Sequence, residues 1–356
     1  MSIWPLSRAR ELEQGVCSLK SKGPIKVYFA PSSEAQRFDY FPKELYEDLA
    51  AYPSELYEFE TSDPANANIL IVTGHGGDLS APLWELRQQG EEAIIAVWLW
   101  DNHVSYWGNL RTVFAADFVF PSHQFSAGLV SNPVSVLGPH IPACSAQWSI
   151  GQAKRIFSQH RVSRSDKLYA PYVGYPELER TRLLRRLATE MPEADVLLID
   201  PDDRSQYFGK DRVGRMLEWM SHKVSLVLPV NHDLSTRLFD GLLSGQALVV
   251  AEDVFDLDNV ISPDLQQELG IVRFKKHEPE EIRRAYHDAL AIFDRDGEVG
   301  IKHRHEFVLG NHMLAHRVAA IADTILDVVS GEHRIHFRKV GDAAPGLVLG
   351  GTHHQL

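Results

Sequence analysis

Residues 224–253 read VSLVLPVNHDLSTRLFDGLLSGQALVVAED. Val224 to Val230 is an apolar run of the length of a buried strand. Asn231-His232-Asp233 is a polar turn. Ser235 then stands where a helix N-cap belongs, and Gly245 stands where a helix stops. Ala247 to Ala251 is a second apolar run. Strand, turn, short helix and strand make a βαβ unit, and such units build parallel sheets.

The helix carries two kinds of face. At about 100° per residue, Leu238, Phe239, Leu242 and Leu243 share one side, and Thr236, Arg237, Asp240 and Ser244 share the other. The apolar side should pack on the sheet. The polar side begins at a helix N-terminus, where free N–H groups and the helix dipole favour an anion such as phosphate. Asp240 lies a turn further in, where a carboxylate could accept hydrogen bonds from two sugar hydroxyls. Phosphate at the cap and ribose a turn on is a nucleotide geometry. A surface helix with a solvated polar face fits the same pattern.

In this register Arg237, Phe239, Asp240, Leu242, Ser244, Gly245, Leu248 and Val249 resemble the nucleotide-sugar-binding segment of GT-B glycosyltransferases, of the "glycosyl transferases group 1" type. The resemblance implies two Rossmann-like α/β domains facing a cleft. The second would bind a nucleotide-diphosphate sugar and the first an acceptor. The family's ribose-binding glutamate falls on Asp240. Many members carry another glutamate upstream, at the place His232 occupies here, so the pattern is broken at one acidic position. The resemblance makes His232, Ser235, Thr236, Arg237 and Asp240 donor-binding residues.

Upstream and downstream the chain keeps alternating strand and helix patterns. Ile25 to Ala30, Asn68 to Thr73, Ala93 to Leu99 and Ala194 to Ile199 read as strands. The strand ending at Thr73 runs into Gly74-His75-Gly76-Gly77-Asp78, whose glycines permit a tight turn and close approach of a ligand. His75 is a candidate general base or acceptor ligand, or a polar turn residue. The strand ending at Leu99 runs into Trp100-Asp101-Asn102-His103. Asp101 or His103 could deprotonate or hold an acceptor hydroxyl. The resemblance places them at the point of sugar transfer; a solvated loop is the plainer reading.

Pro176 to Glu190 is a basic helix opening the second series. In GT-B proteins the equivalent helix supplies cations to the diphosphate, which implies Arg180 and Arg182, the arginines nearest the loop. Asp202 and Asp203 fit a turn better than a metal site. Asn311 to Val318, with Arg317, resembles the family's ending. Leu314, Val318, Ile321 and Ile325 make one apolar stripe.

The expected organisation is an arm over residues 1–23, an acceptor-side domain over 24–150, a nucleotide-sugar domain over 151–312, and a helix crossing the junction with a tail over 313–356. The tail is expected to be loose or to return as a strand.

At 356 residues the chain suits about two domains with substantial cores. Apolar content of 44% and charged content of 24% are those of an ordinary globular protein. A net charge of -12 without a long basic run argues against non-specific nucleic-acid binding. The two cysteines, Cys17 and Cys144, lie far apart, which suits a reducing compartment. The N-terminus lacks a signal-peptide core and no window is long and apolar enough to span a bilayer. The expected location is cytoplasmic, and any membrane contact would be peripheral.

The expected activity is transfer of a sugar from a nucleotide-diphosphate donor to a glycan, a lipid-linked or another hydroxyl acceptor. No cofactor or metal is needed where helix N-termini and arginines supply the positive field. Two other readings share the pattern: a nucleotide-sugar 2-epimerase, and a binding or scaffold protein that has lost the chemistry.

Overall fold

The computed structural model describes residues 6–31, 41–74, 93–100, 106–176, 178–338 and 346–351, with residues 83 and 85. The chain divides into two compact units. The first draws on Met1–Arg37, Leu45–Pro142 and Ala315–Leu356, and the second on Phe38–Glu44 and Ala143–Leu314.

The first unit opens with α1 (Leu6–Leu19), whose Ala9, Leu12, Val16 and Leu19 recur at helical spacing and are buried. There follow β1 (Ile25–Ala30), β2 (Tyr57–Phe59), β3 (Ile69–Gly74), β4 (Ile94–Leu99), α2 (Tyr106–Ala115), β5 (Phe118–Pro121) and β6 (Val136–Leu137). Every residue of β4 is buried, as expected of a strand covered on both faces.

The second unit contains α3 (Ile150–Gln159), β7 (Ser165–Val173), α4 (Glu179–Glu190), β8 (Ala194–Ile199), α5 (Arg212–Met220) and β9 (His222–Val227). It continues through α6 (Thr236–Leu243), β10 (Ala247–Ala251), β11 (Ile271–Phe274) and α7 (Pro279–Asn311). The helix α8 (Leu314–Ser330) returns the chain to the first unit, where β12 (His333–Arg338) and β13 (Gly346–Gly351) complete the sheet.

Both units are Rossmann-like. Among the described residues the first sheet runs β12-β13-β6-β5-β4-β3-β1-β2 and the second β11-β10-β9-β7-β8. All neighbours are parallel except the β12–β13 hairpin. The 331–356 segment thus supplies returning strands, with Leu347 of β13 opposite Val136 of β6. In the second sheet the strand order reverses between β7 and β9. Connections leave that point in opposite directions and open a crevice at the carboxyl ends of the two strands.

The βαβ unit of 224–253 forms as its pattern predicts. Leu238, Phe239, Leu242 and Leu243 are fully buried against the second sheet. The strand stops at Val227, earlier than the apolar run suggests, because the Leu228 N–H leaves the ladder to donate to Tyr172 Oη at 2.7 Å. Gly245 ends the helix with φ +84, and a Cβ there would stand 2.7 Å from Ile301 Cγ2. Gly245→Ala should lower stability by about 1–3 kcal/mol, from left-handed strain and the forced shift of Ile301. Urea unfolding measures it.

The stripe Leu314, Val318, Ile321 and Ile325 is buried along α8. The span of α7 is two helices that meet at Gly297, where φ is 52.

Candidate functional site

The crevice between β7 and β9 is where a doubly wound sheet places its ligand. Tyr172, the penultimate residue of β7, is fully buried there. Its hydroxyl donates to Leu226 O at 2.9 Å and accepts from the Leu228 N–H, which ties the exit of β7 to the exit of β9.

Two guanidinium groups lie on the Tyr172 ring. Arg180, from the first turn of α4, has its Cζ 4.8 Å from the ring centroid. Arg237, from the first turn of α6, has its Cζ at 4.4 Å. The Arg237 Nε donates to Pro171 O at 2.8 Å. The Arg180 Nε is buried without a hydrogen-bond partner. Among the described residues neither guanidinium forms an ion pair. Burial first, and then the positive charge of Arg237, pull Arg180 below the usual arginine range. Two like charges held together and partly desolvated are a costly arrangement. The Asp233 carboxylate acts in the opposite sense on Arg180 and offsets part of this cost; a bound anion would relieve more of it.

The cap of α6 adds to this field. Ser235 is buried, and its Oγ accepts the Arg237 N–H at 3.3 Å. Thr236, half-buried, opens the helix. The positive ends of α4 and α6, with Arg180 and Arg237, therefore meet at one crevice.

The other expected residues fall elsewhere. Arg182 is exposed and pairs with Glu179 at 2.9 Å, two residues on from Arg180 and so on the opposite side of the helix. His232 sits in a left-handed turn, with φ 69 after Asn231 at φ 49. Its ring stacks on Phe255 at 4.1 Å, and its Nδ1 lies 3.2 Å from Asp253 Oδ2. His277 holds the other oxygen of Asp253 at 3.1 Å. Asp202 and Asp203 are exposed turn residues, and Asp203 Oδ1 accepts the Ser205 N–H at 3.0 Å. His75, Asp101 and His103 lie outside the described residues.

Asp240 corrects the helical wheel. Its side of α6 is covered, not solvated, and the residue is 1% exposed. The covering segment is 143–149, which the local pattern of α6 cannot reveal. Ser145 Oγ donates to Asp240 Oδ1 at 2.7 Å, and Gln147 Nε2 donates to Oδ2 at 2.9 Å. Burial pushes the Asp240 carboxyl up to about 6, against these hydrogen bonds and the charges of Arg237 and Arg215. As it stands the carboxylate serves protein partners.

Tyr172, Ser145, Gln147 and Tyr207 escape a reading of the sequence. Only Tyr172 carries a signal, as an aromatic hydroxyl at the end of a strand just before Gly174.

No family model matches the chain, and no curated protein matches it. Solved structures resemble it only in outline. The catalytic domain of starch synthase IV from Arabidopsis thaliana, bound to ADP and acarbose, has a TM-score of 0.44 at 9% identity, over 74% of this chain and 73% of that one. A Listeria monocytogenes protein assigned as a UDP-N-acetylglucosamine 2-epimerase has a TM-score of 0.47 at 9% identity, over 91% and 99%. An α,α-trehalose-phosphate synthase (UDP-forming) from Burkholderia vietnamiensis has a TM-score of 0.45 at 13% identity, over 83% and 84%.

Proposed function

We propose that the second unit binds the diphosphate of a nucleotide-sugar donor, and that the protein is a metal-independent glycosyltransferase of GT-B type. The observation that carries this is the pair Arg180 and Arg237 on Tyr172, without ion pairs among the described residues, at the crevice between β7 and β9. The sequence resemblance around Arg237 supports the same reading.

In sugar transfer the bond from the anomeric carbon to the diphosphate breaks and negative charge grows on the departing oxygen. Two fixed guanidinium groups and the ends of two helices stabilise that charge more than the ground state, which lowers the barrier. The fork of Arg237 is held by Pro171 O and the ring of Tyr172, so little reorganisation is needed on reaction. Asp101, His103 or His75 would hold or deprotonate the acceptor hydroxyl, which would come from a glycan or a lipid-linked sugar.

Calorimetric titration of the full chain with UDP, ADP and GDP tests the reading. One saturable site for at least one of them is expected, together with slow release of sugar from the matching nucleotide sugar without acceptor. If all three fail to bind, the reading is wrong. Binding without any sugar release in the presence of candidate acceptors would favour the scaffold reading.

A further inference from the structure

Apart from the short piece at residues 38–44, the chain enters the second unit at Ala143 and leaves it at Leu314. Just inside these limits the two crossings run side by side. Ser145 and Met313 form an isolated parallel bridge, and the Ser145 N–H donates to His312 O at 2.9 Å. Both crossings also rest on α6. The first does so through the hydrogen bonds of Ser145 and Gln147 to Asp240. The second does so through the His312 ring, stacked 5.0 Å from Phe239. Behind Gln147, Tyr207 Oη donates to its Oε1 at 3.3 Å, and Trp219 Nε1 donates to Tyr207 Oη at 2.8 Å. That chain of donors ends on the Asp240 carboxylate. Arg237 stands one turn before Asp240 on the same helix.

We propose that Asp240 is a positioning residue, which fastens both crossings to α6 and so fixes where Arg237 stands. Its consequence for ligand rests on the function proposed above; the fastening itself does not.

The groups around the carboxyl are Ser145 and Gln147 from the first crossing, Tyr207 from the short helix Ser205–Phe208, Arg215 from α5, Arg237 from α6, and His312 on the second crossing beside Phe239. Opening the fastening would return Asp240 to water and to the ordinary carboxylate range. The closed form titrates at about 6, so closing takes up a proton. The fastening is therefore tighter as pH falls through 6 and looser as it rises.

Hydrogen exchange on the full chain tests this, with amides of 143–149 and 311–314 expressed as protection relative to intrinsic rates at each pH. In wild type, protection of both crossings should rise between pH 7 and pH 5. Asp240→Asn should abolish that rise. Ser145→Ala, which removes one donor and leaves almost no void, should cut protection of both crossings about tenfold at pH 7. It should also weaken UDP, ADP or GDP, whichever binds wild type. Unchanged protection in Ser145→Ala, or a pH rise that persists in Asp240→Asn, overturns the fastening. Loosened crossings with unchanged nucleotide affinity overturn the positioning of Arg237. If wild type binds none of UDP, ADP and GDP, the glycosyltransferase reading fails and the fastening is judged on exchange alone.

Discussion

Alanine at Arg237 is expected to cost about two orders of magnitude or more in affinity for the nucleoside diphosphate. The guanidinium is oriented before any ligand arrives, by Pro171 O and by the Tyr172 ring. A partly desolvated bond from such a group to phosphate is worth far more than an exposed one. Arg237→Lys should recover only a fraction, because an ammonium lacks the planar fork and stacks less well. Arg180→Ala should also weaken binding.

The companion measurement is stability. Removing one of two like charges on one ring relieves repulsion, so the Arg237→Ala melting temperature should hold or rise while affinity falls. That opposition marks groups placed for a ligand and not for the fold. A variant that loses stability and keeps its affinity would put the anion site elsewhere.

Asp240→Ala carries the second large effect. It leaves the Ser145 hydroxyl and the Gln147 amide facing a void, and it removes a carboxylate near the buried guanidinium of Arg215. The expected loss is about 3 kcal/mol at pH 7, read by urea unfolding with tryptophan fluorescence. A loss below about 1 kcal/mol would mean that water satisfies both donors.

The pH dependence has a definite sign. The carboxyl rises from 3.8 to about 6 on folding, so the folded state binds the proton more tightly. Its contribution to stability is greatest when protonated and falls as pH climbs through that window, by about 3 kcal/mol in all. The deficit of Asp240→Ala should therefore be larger at pH 5 than at pH 7. A deficit independent of pH would mean that Asp240 titrates normally.

The α/β architecture was legible because strands covered on both faces are continuous apolar runs, and because Ser235 and Gly245 bracket a helix by local chemistry alone. Arg180 and Arg237 were named through the family resemblance, each standing in the first turn of the helix that follows a strand. What escaped is non-local. Arg180 and Arg182 look alike in sequence, but only the position facing Tyr172 is drawn into the crevice. Asp240 looked open to sugar hydroxyls or to solvent because its partners, Ser145 and Gln147, lie on a distant segment. His232 was legible as a turn residue, but its stacking partner Phe255 belongs to the loop after β10.

The hairpin of β12 and β13 has a consequence for biosynthesis. The first unit is assembled from segments on both sides of the second, and its sheet gains two strands only when residues 333–351 have emerged. The second unit is continuous over residues 143–314 but for the short piece at 38–44. On the ribosome the module that begins later can thus mature earlier, while β6 waits with a bare edge for β13 to cover it.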